Sequence, residues 1–434
     1  MTVLFLSPSA SLGGAERVLL TMVGALRAQL PDLGLHVVTL DDGPLTGLLA
    51  GEGVRVSCLP LTSRLAELGD SQLGLHGGAG KLSLCCRGTA VLPELCCYLR
   101  RLRTMVRQLR PTLIHSNGIK THLLARLAQL GEFPLLWHVH DFYGARPLAR
   151  RLLAWSARRL RTAVAISEAV AADFRAVVSG TPVAVIPNAI DVGRFRPHEV
   201  DAGRLDALAG LSPPPARTLR VGLVATYARW KGHDVFLNAA AKVARAALAV
   251  PVRFYIVGGP VYRTHGSQTS DVELRERIAA LGLTHCVGLV GFQHDPSEVY
   301  PALDVVVHAS TRPEPFGLTI IEAMASGCAV VASTAGGAAE LFRHGQDALG
   351  VPPGDVPALA HQLVTLLGDA DLRRRLGRGA RATATRRFDQ SRIGGQLVDV
   401  YRGVLTRRPG SGWVSPADLR PLFPSPSPTR QLKL

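Results

Sequence analysis

The sequence predicts an α/β protein with two Rossmann-like domains that face one another. Short β-rich runs alternate with amphipathic helical stretches, which is typical of parallel sheets covered by helices. The alternation is interrupted by residues 198–217, which end in a Pro run, and it then restarts with runs of similar size. A length of 434 residues also favours two or three domains over one.

Both halves of the chain contain strand runs that alternate with helical periodicity. In the first half the runs are TVLFLSP, GLHVVTL, VRVSCLP, TLIHSNG, PLLWHVHDF, TAVAISE and PVAVIPN. Helices are predicted between them, for example over residues 16–29 and 95–109. In the second half the runs are LRVGLVATYA, VRFYIVGGP, CVGLVGF, DVVVHAST, AVVAST and DALGVPP. Helices are predicted there over residues that include 234–247 and 319–325.

These elements predict the domain organisation. We expect an N-terminal domain over residues 1–197, a linker over 198–217 and a second domain over 218–388. A last helix, residues 389–406, is expected to cross back to the N-terminal domain. The Pro/Ser-rich tail, residues 407–434, is predicted to be disordered.

The composition excludes two broad classes of protein. Hydrophobic residues make up 47% and charged residues 19%, a globular balance that excludes disorder as the dominant state. No run of about 18 apolar residues is free of charge or Pro/Gly breaks, so an integral membrane protein is not expected. The opening MTVLFLSPSASLGG lacks a basic leader and predicts a first strand rather than a signal peptide.

Basic residues exceed acidic ones, 49 against 33, for a net charge of +16. Two stretches concentrate arginine: Arg100, Arg101, Arg103, Arg107 and Arg110, and then Arg146, Arg150, Arg151, Arg158, Arg159 and Arg161. Such clusters can hold an anionic membrane surface or nucleic acid, and the alternative is a set of solvated helix faces. No aromatic-interleaved basic motif of a nucleic-acid reader accompanies them, so nucleic acid is not an expected partner.

The seven cysteines are too few and too irregular for a disulfide framework. Cys85, Cys86, Cys96 and Cys97 form two adjacent pairs, whereas paired zinc ligands are separated by roughly two to four residues. We therefore expect buried thiols in a reducing cytosol, and no metal site.

The most informative stretch is RPEPFGLTIIEAMASG, residues 312–327. It predicts a helix N-terminus directly after a strand, and such an end attracts a phosphate through its free N–H groups and its dipole. The N–H groups at that end belong to Gly317, Leu318 and Thr319. Glu314 and Glu322 can place one carboxylate beside a sugar ring and the other beside a ribose. The alternative is a capped helix with two solvated glutamates.

This stretch resembles the signature of retaining glycosyltransferases of the GT-B fold, specifically family 4. The resemblance is carried by Glu314 and Glu322 with Phe316 and Gly317 between them. Further motifs of that family are matched by GGAER at residues 13–17, HVHDF, AISEAVAADF, VIPNAIDVGRFRP, GLVATYARWKG and GLVGFQHDPSEVYPALDVVVHAS. The resemblance covers about residues 1–405.

The resemblance implies a GT-B enzyme with an interdomain cleft. The C-terminal domain would bind a nucleoside-diphosphate sugar and the N-terminal domain the acceptor, with retention of configuration and without a cofactor or an essential metal. The catalytic residues would be His140, Arg229, Lys231 and Glu314. The nucleotide-sugar site would comprise Gly13, Gly14, Phe316, Gly317, Leu318, Thr319 and Glu322.

Each of these residue types suits its implied role. Gly13 and Gly14 permit close approach of a ligand to backbone N–H groups. Arg229 and Lys231 would neutralise the charge that develops on the departing diphosphate. Glu314 would hold sugar hydroxyls and Glu322 the ribose. The histidine of HVHDF would contact the transferred sugar through its ring or its backbone carbonyl.

We therefore expect a transferase that moves a sugar to a glycan or lipid-linked hydroxyl in cell-surface polysaccharide or glycolipid synthesis. It would work in the cytoplasm, with peripheral contact at the inner face of the membrane. One alternative is a sugar-nucleotide epimerase of similar architecture. Another is a catalytically dead nucleotide-sugar-binding subunit, which two departures from the family's pattern leave open: Ala189 replaces a Gly, and Thr226 an Arg.

Overall fold

The structure is a computed structural model that describes residues 1–67, 91–144, 147–260 and 268–406. Its contacts divide the chain into two compact units. The first unit comprises Met1–Ile166, Val170–Pro187 and the segment from Gln390 onward, and the second comprises Ser167–Ala169 and Asn188–Asp389. The tail predicted at residues 407–434 lies outside the described residues.

Within the described residues, the first unit contains a seven-stranded parallel sheet in the order β3-β2-β1-β4-β5-β6-β7. The strands are β1 Thr2–Ser7, β2 Gly34–Thr39, β3 Arg55–Cys58, β4 Leu113–Ser116, β5 Leu135–Val139, β6 Thr162–Ala165 and β7 Val183–Val185. The central strands are buried on both faces, which explains why their sequences are nearly continuous apolar runs. The order of strands reverses between β1 and β4.

Helices cover this sheet. They are α1 Gly14–Gln29, α2 Pro44–Gly51, α3 Ser63–Glu67, α4 Leu92–Leu109, α5 Ile119–Leu127, α6 Pro147–Ser156, α7 Glu168–Val177 and the last helix, α14 Ser391–Thr406. Helix α14 packs on α1 so closely that a Cβ atom added at Gly394 would lie 2.6 Å from the Ala25 carbonyl oxygen. The last helix therefore belongs to the first unit.

In the described part of the second unit, six parallel strands lie in the order β10-β9-β8-β11-β12-β13. The strands are β8 Leu219–Val224, β9 Val252–Val257, β10 Val287–Gly291, β11 Val305–His308, β12 Ala329–Ser333 and β13 Leu349–Val351. The helices are α8 Gly203–Leu208, α9 His233–Ala244, α10 Asp271–Ala280, α11 Leu318–Ala325, α12 Val356–Gly368 and α13 Ala370–Phe388. The strand order reverses between β8 and β11, and doubly wound sheets bind ligands at the carboxyl ends of the strands beside such a reversal.

The segment predicted as a linker, residues 198–217, lies in the second unit and contains α8. Asp206 of α8 is buried and accepts hydrogen bonds from Arg220 at 3.0 Å and Tyr255 at 2.6 Å, and from Arg253. The Pro run interrupts the alternation of strands and helices, as predicted. The helix before it is not part of a free linker, because these three hydrogen bonds join α8 to strands β8 and β9.

The fold class is confirmed: both units are α/β with parallel Rossmann-like sheets. In the ranges that the structure describes, no helix combines the length and apolarity needed to cross a bilayer. The prediction of buried thiols is wrong for Cys96 and Cys97, which are free and exposed on α4. Cys85 and Cys86 lie outside the described residues.

Candidate active site

Lys231 and Glu314 meet in the second unit, at the reversal of strand order. Lys231 ends a short 3-10 turn after β8, and Glu314 lies in the loop between β11 and α11. The Lys231 Nζ atom lies 2.5 Å from Glu314 Oε1. Glu314 is buried, with 7% of its surface exposed, so this carboxylate has its counter-charge within hydrogen-bond distance.

Two glycines allow the backbone to bring this pair together. Gly232 adopts a φ of +78°, and a Cβ atom there would lie 1.9 Å from the Ala309 carbonyl oxygen. Gly336 adopts a φ of +66°, and a Cβ atom there would lie 2.4 Å from the carbonyl oxygen of Glu314. A side chain at either position would force apart the loops that carry the ion pair.

Two further side chains hold Glu314 in its ionised form. Ser310 donates a hydrogen bond to Glu314 Oε1 at 2.5 Å, and His308 Nε2 lies 3.6 Å from the same oxygen. Burial alone would raise the pKa of Glu314, but the Lys231 ammonium and the His308 ring outweigh it and hold that pKa below its ordinary value. The site therefore presents a permanent carboxylate.

The loop after Glu314 leads directly into α11, as the sequence predicts. Gly317 precedes the helix with a φ of +120°, and the helix begins at Leu318. Gly317, Leu318 and Thr319 are partly exposed at this end, where a helix offers N–H groups to an anionic ligand. One turn further along, buried Glu322 accepts a hydrogen bond from the Tyr300 hydroxyl at 2.6 Å.

Two predicted site residues make contacts of their own in the structure. The Arg229 guanidinium pairs with Glu273 of α10, Nη2 to Oε1 at 2.8 Å, and both side chains are about half exposed. Phe316 is buried, and its ring packs edge-on against Phe388 at 6.1 Å between centroids. The Phe316 ring thus shapes the turn from inside the core.

His140 lies at the carboxyl end of β5 in the first unit. Its Nε2 atom is 2.7 Å from Asn117 Oδ1, and its ring stacks on His138 with centroids 4.2 Å apart. Burial lowers the pKa of His140 to about 4, so the ring is neutral at physiological pH. A neutral imidazole at a strand end can exchange hydrogen bonds with a sugar but carries no charge.

Gly13 and Gly14 form the start of α1, after β1 in the first unit. Gly13 is the N-cap residue, and its carbonyl accepts from Arg17 N–H at 3.0 Å. Glu16 is buried in the first turn of this helix, and burial, with the nearby Asp41 charge, raises the pKa of its carboxyl to about 7. The glycine turn thus carries a buried carboxyl that the sequence analysis did not single out.

Three supporting residues could not be ranked from the sequence: Ser310, Tyr300 and Asn117. Ser310 is signalled weakly by its place in the HAS run before Glu314, and the other two read as ordinary loop residues. Over the described ranges, no three His, Cys, Asp or Glu side chains are grouped so as to hold a metal ion. The second-unit site thus combines a cation, a fixed carboxylate and a helix N-terminus, a set of groups suited to a phosphorylated sugar.

Comparison with known proteins agrees with this geometry. Residues 12–194 match the family model "Glycosyltransferase Family 4", and residues 218–369 match "Glycosyl transferases group 1". A D-inositol 3-phosphate glycosyltransferase of Stackebrandtia nassauensis is 30% identical over 308 residues, which cover 65% of this chain and 67% of that protein. The chain belongs to the family 4, group 1 glycosyltransferases.

Other family members extend the comparison. A D-inositol 3-phosphate glycosyltransferase of Nocardia farcinica is 34% identical over 223 residues, 51% of this chain and 47% of that protein. The chain spans about half the length of the first curated relatives that it matches. The crystal structure of Anabaena HepE in complex with UDP has a TM-score of 0.74 at 26% identity, and the match covers 93% of this chain and 100% of that one. A HepE complex with UDP-glucose matches equally well, with a TM-score of 0.74.

Proposed function

We propose that this protein is a retaining glycosyltransferase that moves a sugar from a nucleoside-diphosphate sugar to a hydroxyl acceptor. The observation that carries the proposal is the Lys231–Glu314 pair beside the N-terminus of α11, at the reversal of strand order. A nucleoside-diphosphate sugar offers sugar hydroxyls for a carboxylate and phosphates for a cation and a helix end. Uracil is the favoured base because HepE, a similar protein, is described in complex with UDP and UDP-glucose.

In the proposed reaction, Lys231 and the first turn of α11 bind the diphosphate, Glu314 accepts hydrogen bonds from sugar hydroxyls, and Glu322 accepts them from the ribose. The acceptor oxygen forms a bond to the anomeric carbon while the bond from that carbon to the phosphate oxygen breaks. The acceptor proton passes to the departing diphosphate on the same face. Lys231 stabilises the charge that develops on that leaving group, which is a role that needs no metal ion.

The acceptor is proposed from the relatives and from one surface. Relatives described as D-inositol 3-phosphate glycosyltransferases suggest a phosphorylated polyol as one acceptor class. A glycan or lipid-linked hydroxyl at the cytoplasmic face of a membrane is the second class, and α6 favours it. Arg150, Arg151 and Arg158 are exposed on α6 and in the turn after it, together with Leu152 at 53% and Trp155 at 37% exposure. We call these five residues the α6 basic patch.

The α6 basic patch has the character of a surface that touches lipid headgroups. No acidic residue lies between Asp141 and Glu168, so nothing in this part of the chain offsets its charge. Arg126 lies over the Trp155 ring, 4.3 Å from its centroid, which holds an amphipathic ring beside a cation. Each basic group near an anionic surface contributes about 1 kcal/mol, and exposed Trp and Leu add apolar contact.

The experiment is incubation with labelled UDP- and GDP-sugars, each with inositol phosphate, a lipid-linked acceptor or water. Acceptor-dependent transfer, with the product's anomeric configuration retained and activity unchanged in EDTA, is the expected result. Epimerisation of the donor without transfer would support the alternative that the protein is a sugar-nucleotide epimerase. Binding without any turnover would support the dead subunit, and loss of activity in EDTA restored by Mg²⁺ would contradict the metal-free reaction.

A further inference from the structure

Asn117 connects the start of α1 to His140. It follows β4 and is buried, with 1% of its surface exposed, and its backbone N–H donates to the Leu6 carbonyl at 2.9 Å. Its side-chain Nδ2 atom lies 3.5 Å from the Ala15 carbonyl oxygen, and its Oδ1 atom lies 2.7 Å from His140 Nε2. The amide thus bridges the glycine turn and the histidine.

These two contacts define the protonation of His140. A backbone carbonyl can only accept a hydrogen bond, so the NH₂ group of Asn117 faces Ala15 and its Oδ1 faces the imidazole. An amide oxygen can only accept, so His140 Nε2 carries the proton that it donates. Because burial lowers the pKa of His140 to about 4, its Nδ1 atom is unprotonated at neutral pH.

A second chain of contacts fixes the plane of the ring. His140 stacks on His138 at an interplanar angle of 20°. His138 Nδ1 lies 3.2 Å from His115 Nε2, and His115 Nδ1 lies 2.8 Å from the Tyr401 hydroxyl of α14. If the tyrosine donates to Nδ1, then His115 Nε2–H donates to His138 Nδ1, and the proton of neutral His138 lies on its buried Nε2 atom. Burial lowers the pKa values of His115 and His138, so the stacked rings do not repel each other as cations.

We propose that Asn117 is a positioning residue that holds His140 as the neutral Nε2–H tautomer. The unprotonated Nδ1 atom of His140 then accepts a hydrogen bond from a hydroxyl of the donor sugar. His140 does not act as a general acid toward the leaving group. This inference rests on the proposed function in one respect, namely that the ligand beside His140 is a sugar. The tautomer itself does not depend on it.

The groups near His140 predict its response to a new charge. Asn117 faces it from the end of β4 and His138 from β5. His122 of α5 interacts with it electrostatically, and the carboxylate of Asp141 accepts a hydrogen bond from the Phe142 N–H at 2.9 Å. An Asn117→Asp carboxylate would stabilise the imidazolium form, and an opposite charge at this distance raises a pKa by about one to three units.

The test is NMR of histidine labelled with ¹³C and ¹⁵N, with a His140→Gln variant to assign the signal. In the wild-type protein we expect the Nε2–H tautomer down to about pH 4. In Asn117→Asp, the His140 pKa and the acid limb of the kcat profile should rise together by at least about one unit, with UDP affinity unchanged. Asn238→Asp, which makes the same charge change in α9 of the second unit, is the control and should shift neither.

An Nδ1–H tautomer in the wild-type protein would overturn the proposal. So would an Asn117→Asp variant in which both the His140 pKa and the acid limb stay in place. If Asn117→Asp does not fold, Asn117→Ala takes its place, and the proposal then requires loss of the Nε2–H preference. A protein without transferase activity would contradict the proposed function alone, because the spectra still report the tautomer.

Discussion

The Lys231 ammonium lies 2.5 Å from Glu314 Oε1, although 83 positions separate the two residues in the chain. Adjacent strands β8 and β11 end beside each other and so bring the two side chains together. In the proposed reaction a bound diphosphate would contact the same ammonium, while Ser310 and His308 stay beside Glu314 Oε1. In the reaction proposed above, the ion pair would therefore offer a cation to the phosphates and an anion to the sugar.

Glu314→Gln should lower turnover by about 10²-fold or more, with donor affinity nearly unchanged. The amide keeps the shape of the side chain but loses the charge that accepts from sugar hydroxyls and balances Lys231. Steady-state kinetics with the donor that the incubation with UDP- and GDP-sugars identifies measure both quantities. Glu276→Gln, an exposed glutamate on α10, is the matched control and should behave as wild type. Equal turnover rates for the two variants would show that the Glu314 carboxylate takes no part in the reaction.

Glu322→Ala should act on binding rather than on turnover, because Glu322 lies inside α11 and is assigned to the ribose. Tyr300→Phe should weaken nucleotide binding in the same direction but less, since it removes only the hydroxyl that orients Glu322 at 2.6 Å. Calorimetric titration of UDP into each variant measures the effect. The assignment fails if both variants bind UDP within about twofold of wild type.

The stability of the Glu16→Gln variant, relative to that of the wild-type protein, should increase as pH rises. The pKa of Glu16 is raised from 4.5 to about 7, so between these values the folded state binds more protons than the unfolded state. Stability contributed by this group is therefore lost as pH rises through about 7. At about 1.4 kcal/mol per pKa unit, the wild-type protein should lose up to about 3.5 kcal/mol relative to the variant between pH 4.5 and 8.

Urea unfolding of both proteins across this pH range measures the difference. Glu52→Gln, an exposed glutamate in the same unit, is the control and should run parallel to wild type. A Glu16→Gln variant whose stability stays parallel to wild type would show that folding does not raise the pKa of Glu16.

The α6 basic patch should bind anionic vesicles reversibly and in a salt-sensitive manner. Co-sedimentation with anionic and neutral liposomes at low and high salt measures this binding, since screening acts within roughly 8–10 Å at physiological salt. The double variant Arg150→Gln/Arg151→Gln should lose most of it, whereas Arg245→Gln/Arg275→Gln in the second unit should not. Binding that is equal for both lipids, or absent from both, would leave a freely diffusing acceptor as the better proposal.

The sequence predicts the fold far better than it predicts the contacts of the site. Strand runs such as DVVVHAST are readable because strands buried on both faces must be apolar along their length. The helix N-terminus at Gly317 is likewise readable, since its signal is local. The pairing of Arg229 with Glu273 cannot be predicted from the sequence, because Glu273 comes close only through the packing of α10. The exposure of Cys96 and Cys97 also depends on which face of α4 meets the sheet.

The central claim is that Lys231, paired with Glu314, receives the diphosphate of a nucleotide sugar. Isothermal titration of UDP and GDP into the wild-type protein and into Lys231→Met tests it most directly, with Lys242→Met on the exposed face of α9 as the matched control. We predict one binding site per chain for at least one of the two nucleotides, weakened at least about tenfold in Lys231→Met and unchanged in Lys242→Met. Equal affinity of all three proteins, or no binding of either nucleotide to the wild-type protein, would contradict the account.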